Sequence, residues 1–202
     1  MKEKSIELEL RAEVPLAEYQ KVKKRLDILG RLNSETRRLS AMFFGQINKQ
    51  KIDLRVRVTN GESEVVVKLG EWGSSDRTEV AQKIKSDQFL GLIKLFSCFN
   101  FIAKIGEREI LNYVFPGDIT VSLACTGPIA YIELECMSYR SEVEVNRKKL
   151  LNLAKQLRLK LFTSEVEFDQ LCQRLTDEVD WIFHNTKKDY TKLAKLFKKY
   201  IR

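Results

Sequence analysis

The chain has 202 residues, of which 44% are hydrophobic and 32% charged, with a formal net charge of +8. That length supports a sizeable core, and no stretch approaches the ~20 consecutive apolar residues of a membrane span. The charge is uneven: residues 186–202 hold seven Lys/Arg against Asp189, while the rest carries 29 basic and 27 acidic groups, so overall basicity says little about nucleic acid.

In chain order, a strand over about 5–14 ends at Pro15, which starts a helix running to Gly30 with Leu16, Tyr19, Val22, Leu26 and Leu29 as its apolar stripe. Short strands are expected at about 39–44 and 52–59. Asn60-Gly61 is a hairpin signal joining "LRVRVT" to "SEVVVKLG". The polar loop "EWGSSD" leads into the strand "RTEVAQKI", and Asp87 caps a helix through about 100. Strands follow at about 102–115, 118–124 and 129–136, with Pro116-Gly117 and Gly127-Pro128 as turns. The periodicity then becomes helical over about 146–160, 164–184 and 187–201. This is an α+β pattern: an antiparallel sheet with inserted helices and a helical C-terminal segment.

Several common chemistries are excluded. A single histidine, His184, leaves no His-based zinc site and no Ser-His or Cys-His nucleophile pair. Four scattered cysteines without a C-x-x-C read as reduced, mostly core thiols. The charged start "MKEKSIELEL" lacks the apolar stretch of a signal peptide, so a cytoplasmic location is expected. A metal in this chain has to be a hard cation held by carboxylates, such as Mg²⁺ or Mn²⁺.

The charges on the strands recur at a spacing of two. Residues i, i+2 and i+4 of a strand share one face. Glu7, Glu9 and Arg11 in "IELELRA" therefore point one way, as do Glu133 and Glu135 in "YIELE". Arg55 with Arg57, Glu64 with Lys68, and Arg77 with Glu79 repeat the pattern, and Lys104 and Arg108 lie four apart. On one strand this is an ordinary wetted face. Over six strands it predicts a closed or nearly closed antiparallel barrel with a charged interior, suited to a polyphosphate held by cations and bridged to carboxylates through a metal.

The order E-x-E-x-[K/R], "LRVR", a strand ending in Lys, R-x-E, a basic strand and a closing E-x-E resembles the CYTH domain of the triphosphate tunnel metalloenzymes, over about residues 5–170. The resemblance implies an eight-stranded antiparallel β-barrel, a tunnel domain at 1–170, and a basic helical extension at 171–202 packing on it. It implies a triphosphate-containing small molecule as substrate, with Mg²⁺ or Mn²⁺ as cofactor. It assigns Glu7, Glu9, Glu133 and Glu135 to the metal and Arg11, Arg55, Arg57, Lys68, Arg77, Lys104 and Arg108 to phosphate. Glu79 would support the cations, and Glu9 and Arg11 would be catalytic.

Two positions depart from the family pattern. Arg11 stands where Lys is usual, and an arginine cannot give up its proton to act as a base. Ser122 falls near a position that often carries a metal-assisting Asp, with Asp118 too early in the strand. The expected activity is metal-dependent hydrolysis of a tripolyphosphate or of a nucleoside or organic triphosphate. The alternatives are a catalytically weak polyphosphate, nucleotide or RNA 5′-end binding module, favoured by both departures, and an adenylyl cyclase of class IV type. The lysine-rich end reads as an amphipathic helix packed on the body, ahead of nucleic-acid contact. Phe43, Phe44, Phe99 and Phe101 read as core, and Trp72 as a loop anchor or a contact at a tunnel mouth.

Overall fold

The computed structural model describes residues 6–70 and 78–201, with the side chains of Ile6 and Thr78 left aside. Its strands are β1 (Ile6–Val14), β2 (Arg31–Ile47), β3 (Gln50–Thr59), β4 (Glu62–Leu69), β5 (Thr78–Ile84), β6 (Ile102–Phe115), β7 (Ile119–Cys125), β8 (Ala130–Ser138) and β9 (Trp181–Ile182). Its helices are α1 (Leu16–Leu29), α2 (Phe89–Phe96), α3 (Val143–Leu157), α4 (Glu165–Glu178) and α5 (Lys187–Phe197). The hydrogen-bonded order is β1-β8-β7-β6-β2-β3-β4-β5, with β9 on β6. The α+β class and the eight main strands match the sequence expectation, and among the described residues the end strands β1 and β5 are not hydrogen-bonded to each other.

The chain divides into two compact units, 1–35 with 109–173 and 36–108 with 174–202. In the first unit, strand alternation sets one apolar and one charged face. Leu8, Ala12 and Val14 of β1 join Ile132 and Leu134 of β8 and Val121 and Leu123 of β7 in one core with Val22 and Leu26 of α1 and Leu150, Leu153 and Leu157 of α3. Each such Val, Leu or Ile side chain, fully buried, contributes about 1.5–3 kcal/mol. Tyr113 of β6 is buried in this core, and its hydroxyl donates to Asp27 Oδ1 of α1 at 2.7 Å.

In the second unit, Leu39, Ala41 and Phe43 of β2 and Leu54, Val56 and Val58 of β3 pack with Phe89 and Ile93 of α2 and with Leu193 and Phe197 of α5. The Phe89 and Phe197 rings stack with centroids 4.3 Å apart. The C-terminal helix thus packs through its apolar stripe, as its sequence pattern requires.

Several elements differ from the sequence expectation: Asp87 lies inside a 3₁₀ turn (Ser86–Gln88) instead of capping α2, and α2 ends at Phe96. β2 is much longer than 39–44, and it turns into β3 at Asn48 and Lys49, both in the left-handed region. Short polar loops of this kind lack the Asn-Gly signal that marks the next hairpin. α3 begins earlier and ends at Leu157, because Arg158 adopts a left-handed φ of 57°. The helix expected over 164–184 stops at Glu178, after which Trp181 and Ile182 form β9 against Ile105 and Lys104 of β6.

Candidate active site

β1 and β8 pair antiparallel with Glu9 opposite Glu135 and Arg11 opposite Glu133. That register puts the two acidic motifs side by side on the sheet face opposite the core. Glu9, Glu133 and Glu135 each offer a carboxylate oxygen within 4.8 Å of the others, while Glu7, paired with Met137 further along, lies outside that trio. Burial, followed by the charge of Glu133, pushes the Glu9 carboxyl up to about 8 against the opposing pull of Arg11. Carboxylates crowded like this call for a cation. A set of oxygen donors alone fits a hard divalent ion such as magnesium or manganese.

Arg11 already supplies part of that cation. Its guanidinium is ion-paired with Glu9, lies 3.6 Å from Glu133 Oε1, and stacks 4.2 Å over the Phe168 ring of α4. Its backbone is held as well, since Phe162 N–H donates to the Arg11 carbonyl at 2.9 Å on the edge of β1 away from β8. Ser122 of β7 sits opposite Glu133. Its hydroxyl donates to Asn112 Oδ1 at 3.0 Å, and Asn112 Nδ2 donates to Ser34 Oγ at 3.0 Å. A chain of neutral groups therefore occupies the position where the resemblance leads one to expect an Asp.

The second unit carries the cations, each beside a carboxylate. Arg55 donates twice to the buried Asp53, at 2.8 and 2.6 Å. Arg57 donates to Glu64 at 2.8 Å across the β3–β4 register and lies 3.8 Å from Glu79. Lys68 is 2.6 Å from Glu79, its partner across β4–β5. Burial alone would raise the Glu79 carboxyl, but Lys68, Arg57 and Arg55 outweigh it and hold the group below the ordinary carboxylate range. Glu79 is thus positioned beside two of the cations it was expected to support.

Lys104 and Arg108 of β6 converge on Asp180, whose side chain is fully buried. Arg108 donates to both oxygens at 2.7 and 3.1 Å, and Lys104 Nζ is 3.4 Å from Oδ2 and donates to Thr176 at 2.8 Å. Gly106 lies between these two residues on β6. A Cβ there would come within 2.4 Å of Asp180 Oδ1. Arg77 and Trp72 lie outside the described residues.

Asp53, Glu64 and Asp180 were absent from the sequence assignment. Asp53 and Glu64 could have been found, since each sits on the charged face of its strand, Asp53 two residues from Arg55. Asp180 carried no signal, because it lies just past a helix that the periodicity extends through it.

No family model and no curated protein matches this chain. Solved structures match its fold. The PH1012 protein of Pyrococcus horikoshii OT3 is 19% identical with a TM-score of 0.61, covering 77% of this chain and 92% of its own. A candidate adenylate cyclase from Vibrio parahaemolyticus is 18% identical with a TM-score of 0.55, covering 93% and 98%. A candidate adenylyl cyclase from Hippeastrum, described as having a dominant triphosphatase activity, is 17% identical with a TM-score of 0.52, covering 80% and 91%. Identities this low show the fold alone, and that fold agrees with the CYTH-type resemblance of the strand motifs.

Proposed function

We propose that this chain binds a triphosphate with a divalent metal and hydrolyses it to release orthophosphate. The observation that carries the reading is the trio Glu9, Glu133 and Glu135, three convergent carboxylates on paired strands. Glu9, Glu133 and Glu135 would hold the metal, with Glu7 beside them on β1. Magnesium or manganese, once bound, supplies Lewis-acid stabilisation of the charge that develops on phosphoryl oxygens. Arg55, Arg57, Lys68, Lys104 and Arg108, with Arg77, would bind the phosphate oxygens. The carboxylate partners of Arg55, Arg57, Lys68, Lys104 and Arg108 hold those guanidinium and ammonium groups in fixed directions before the substrate arrives, which lowers the cost of ordering them.

Glu9 holds a proton near neutral pH while no added cation faces it. Binding a cation at the trio would release that proton and leave a carboxylate able to orient water. Phosphoryl transfer depends mainly on position and electrostatics, so such an array is sufficient machinery.

A second reading is supported by Arg11 and Ser122: a module that binds triphosphate with little turnover. The Arg11 guanidinium engages Glu9, and Ser122 supplies no carboxylate opposite Glu133. The candidate cyclases of related fold add cyclisation of ATP as a third outcome. A thermal-shift titration with tripolyphosphate, ATP, GTP and thiamine triphosphate separates binding from no binding. Product analysis of the same mixtures with Mg²⁺ or Mn²⁺ then distinguishes orthophosphate, cyclic nucleotide or no product. Absence of both stabilisation and product would end the triphosphate reading.

A further inference from the structure

The lysines of α5 and of the two positions after it stand apart from every basic residue discussed above. Lys187, Lys188, Lys192, Lys195, Lys198 and Lys199 are all exposed, and among the described residues none of them makes an ion pair. Lys188, Lys192 and Lys195 recur at i, i+4 and i+7, so they share one helix face over about 10 Å of axis. The nearby acid, Asp189, is turned to capping: its Oδ2 accepts from the backbone N–H groups of His184 and Thr186 at 3.0 and 3.2 Å. Like charges four apart weaken a helix, and packing requires only the apolar stripe of Leu193 and Phe197. The fold gives no reason for a solvent face whose charges are all basic.

Beside that face lies an open groove of about 1050 Å³, lined by Trp181, Ile182, His184, Lys188, Lys192 and Lys195 among others. Lys192 Nζ sits 3.8 Å over the Trp181 ring, so a face of the indole is turned to the lysines. We propose that this groove and lysine face form a binding surface for single-stranded nucleic acid. The lysines follow the phosphodiester backbone, and a base takes the place of Lys192 on Trp181, freeing that ammonium for a phosphate. Stacking of a base on an aromatic ring outweighs an exposed cation–π contact, so the exchange is favourable. An inorganic polyanion would use the lysines but gain nothing from the indole. The surface is built from second-unit residues and uses none of the carboxylate trio, so it stands independently of the triphosphatase reading.

The test is fluorescence anisotropy with a 3′-labelled, 5′-hydroxyl oligo(U) of 20 nucleotides and no divalent metal, which keeps the triphosphate site out of the measurement. Three or four phosphate contacts predict an affinity that falls about 20- to 50-fold between 50 and 200 mM salt. The double substitution Lys192→Glu/Lys195→Glu should lower affinity about tenfold or more with little change in melting temperature, because both residues are exposed and Lys192 gives up only its contact with Trp181. In a Trp72→Phe background, the oligonucleotide should quench the Trp181 fluorescence. No binding at 50 mM salt, or binding indifferent to the two charge reversals, overturns the proposal. Inorganic polyphosphate competing equally while Trp181 stays unquenched also overturns it, as does tighter retention on anionic vesicles than on oligo(U).

Discussion

The Arg11 guanidinium is ion-paired with Glu9, two residues before it on the same face of β1, and is stacked over Phe168. This pairing places a fixed cation against a carboxylate assigned to the metal. Lysine at the same position has no planar fork to match the carboxylate and stacks less well on an aromatic ring. Arg11→Lys should therefore loosen Glu9 and introduce a group able to exchange a proton. The expected result is an increase in metal-dependent phosphate release of about tenfold or more, within the range of general acid–base effects. A rate unchanged or lowered in Arg11→Lys would show that the arginine is not what limits turnover.

The Glu9 carboxyl also makes the protein pH-sensitive. Its folded-state pKa, about 8, lies above the ordinary carboxyl value of 4.5, so between those values the folded state holds a proton that the unfolded state has lost. Stability contributed by protonated Glu9 is complete below about 4.5 and is lost as pH rises through about 8. A divalent ion reverses this trend, because it binds the ionised trio. The stabilisation by Mn²⁺ should therefore grow from pH 6 to pH 9, and Glu9→Gln should flatten both dependences. Melting temperatures with and without Mn²⁺ across that range provide the check.

Ser122 faces Glu133 across β7–β8 and is bonded to Asn112. Ser122→Asp would add a fourth carboxylate to the trio. We expect Mn²⁺ affinity to rise roughly tenfold, since ligand charge sets affinity in carboxylate sites. The metal-free protein should become less stable by about 1–3 kcal/mol, because Asn112 loses its hydroxyl partner and the local negative charge increases. Calorimetric titration and urea denaturation measure the two effects separately.

Asp180 is a buried carboxylate facing two cations. Asp180→Ala leaves Lys104 and Arg108 without that partner and should cost about 3–5 kcal/mol. Gly106→Ala places a methyl group 2.4 Å from Asp180 Oδ1 and 2.8 Å from Arg108 Nη1, and should cost about 1–3 kcal/mol. Combined, the two substitutions should cost less than their sum, because removing the carboxylate removes the closer of the two contacts and frees the Arg108 side chain to move from the other. Additive urea midpoints would mean that Gly106 is required for some other reason.

The strand faces were the legible part of this chain. Alternation at Glu7, Glu9 and Arg11, and at Glu133 and Glu135, fixes which side of β1 and β8 is charged, and register then brings Glu9 and Glu135 opposite each other. The hairpin at Asn60-Gly61 and the end of β1 at Pro15 followed from residues with restricted backbone choices. What sequence could not supply was partnership between distant residues. Asp180 looks like one more acid at the end of a helix, yet the two-residue pairing of β9 with β6 is what brings it to Lys104 and Arg108. Helix periodicity continues through 181–184, and tertiary pairing outweighs it there. The carboxylate partners Asp53 and Glu64 were visible as alternating residues, but which cation each would take depends on rotamers and register.

The most direct test of the central claim is phosphate release from inorganic tripolyphosphate, titrated with Mn²⁺, by the native chain and by Glu9→Gln. The account predicts release that requires the metal in the native chain and falls by a factor of about 100 or more in Glu9→Gln, with the melting temperature of the variant preserved or raised. Release that does not depend on the metal, or that Glu9→Gln leaves intact, would contradict the assignment of the Glu9, Glu133 and Glu135 trio as the metal centre.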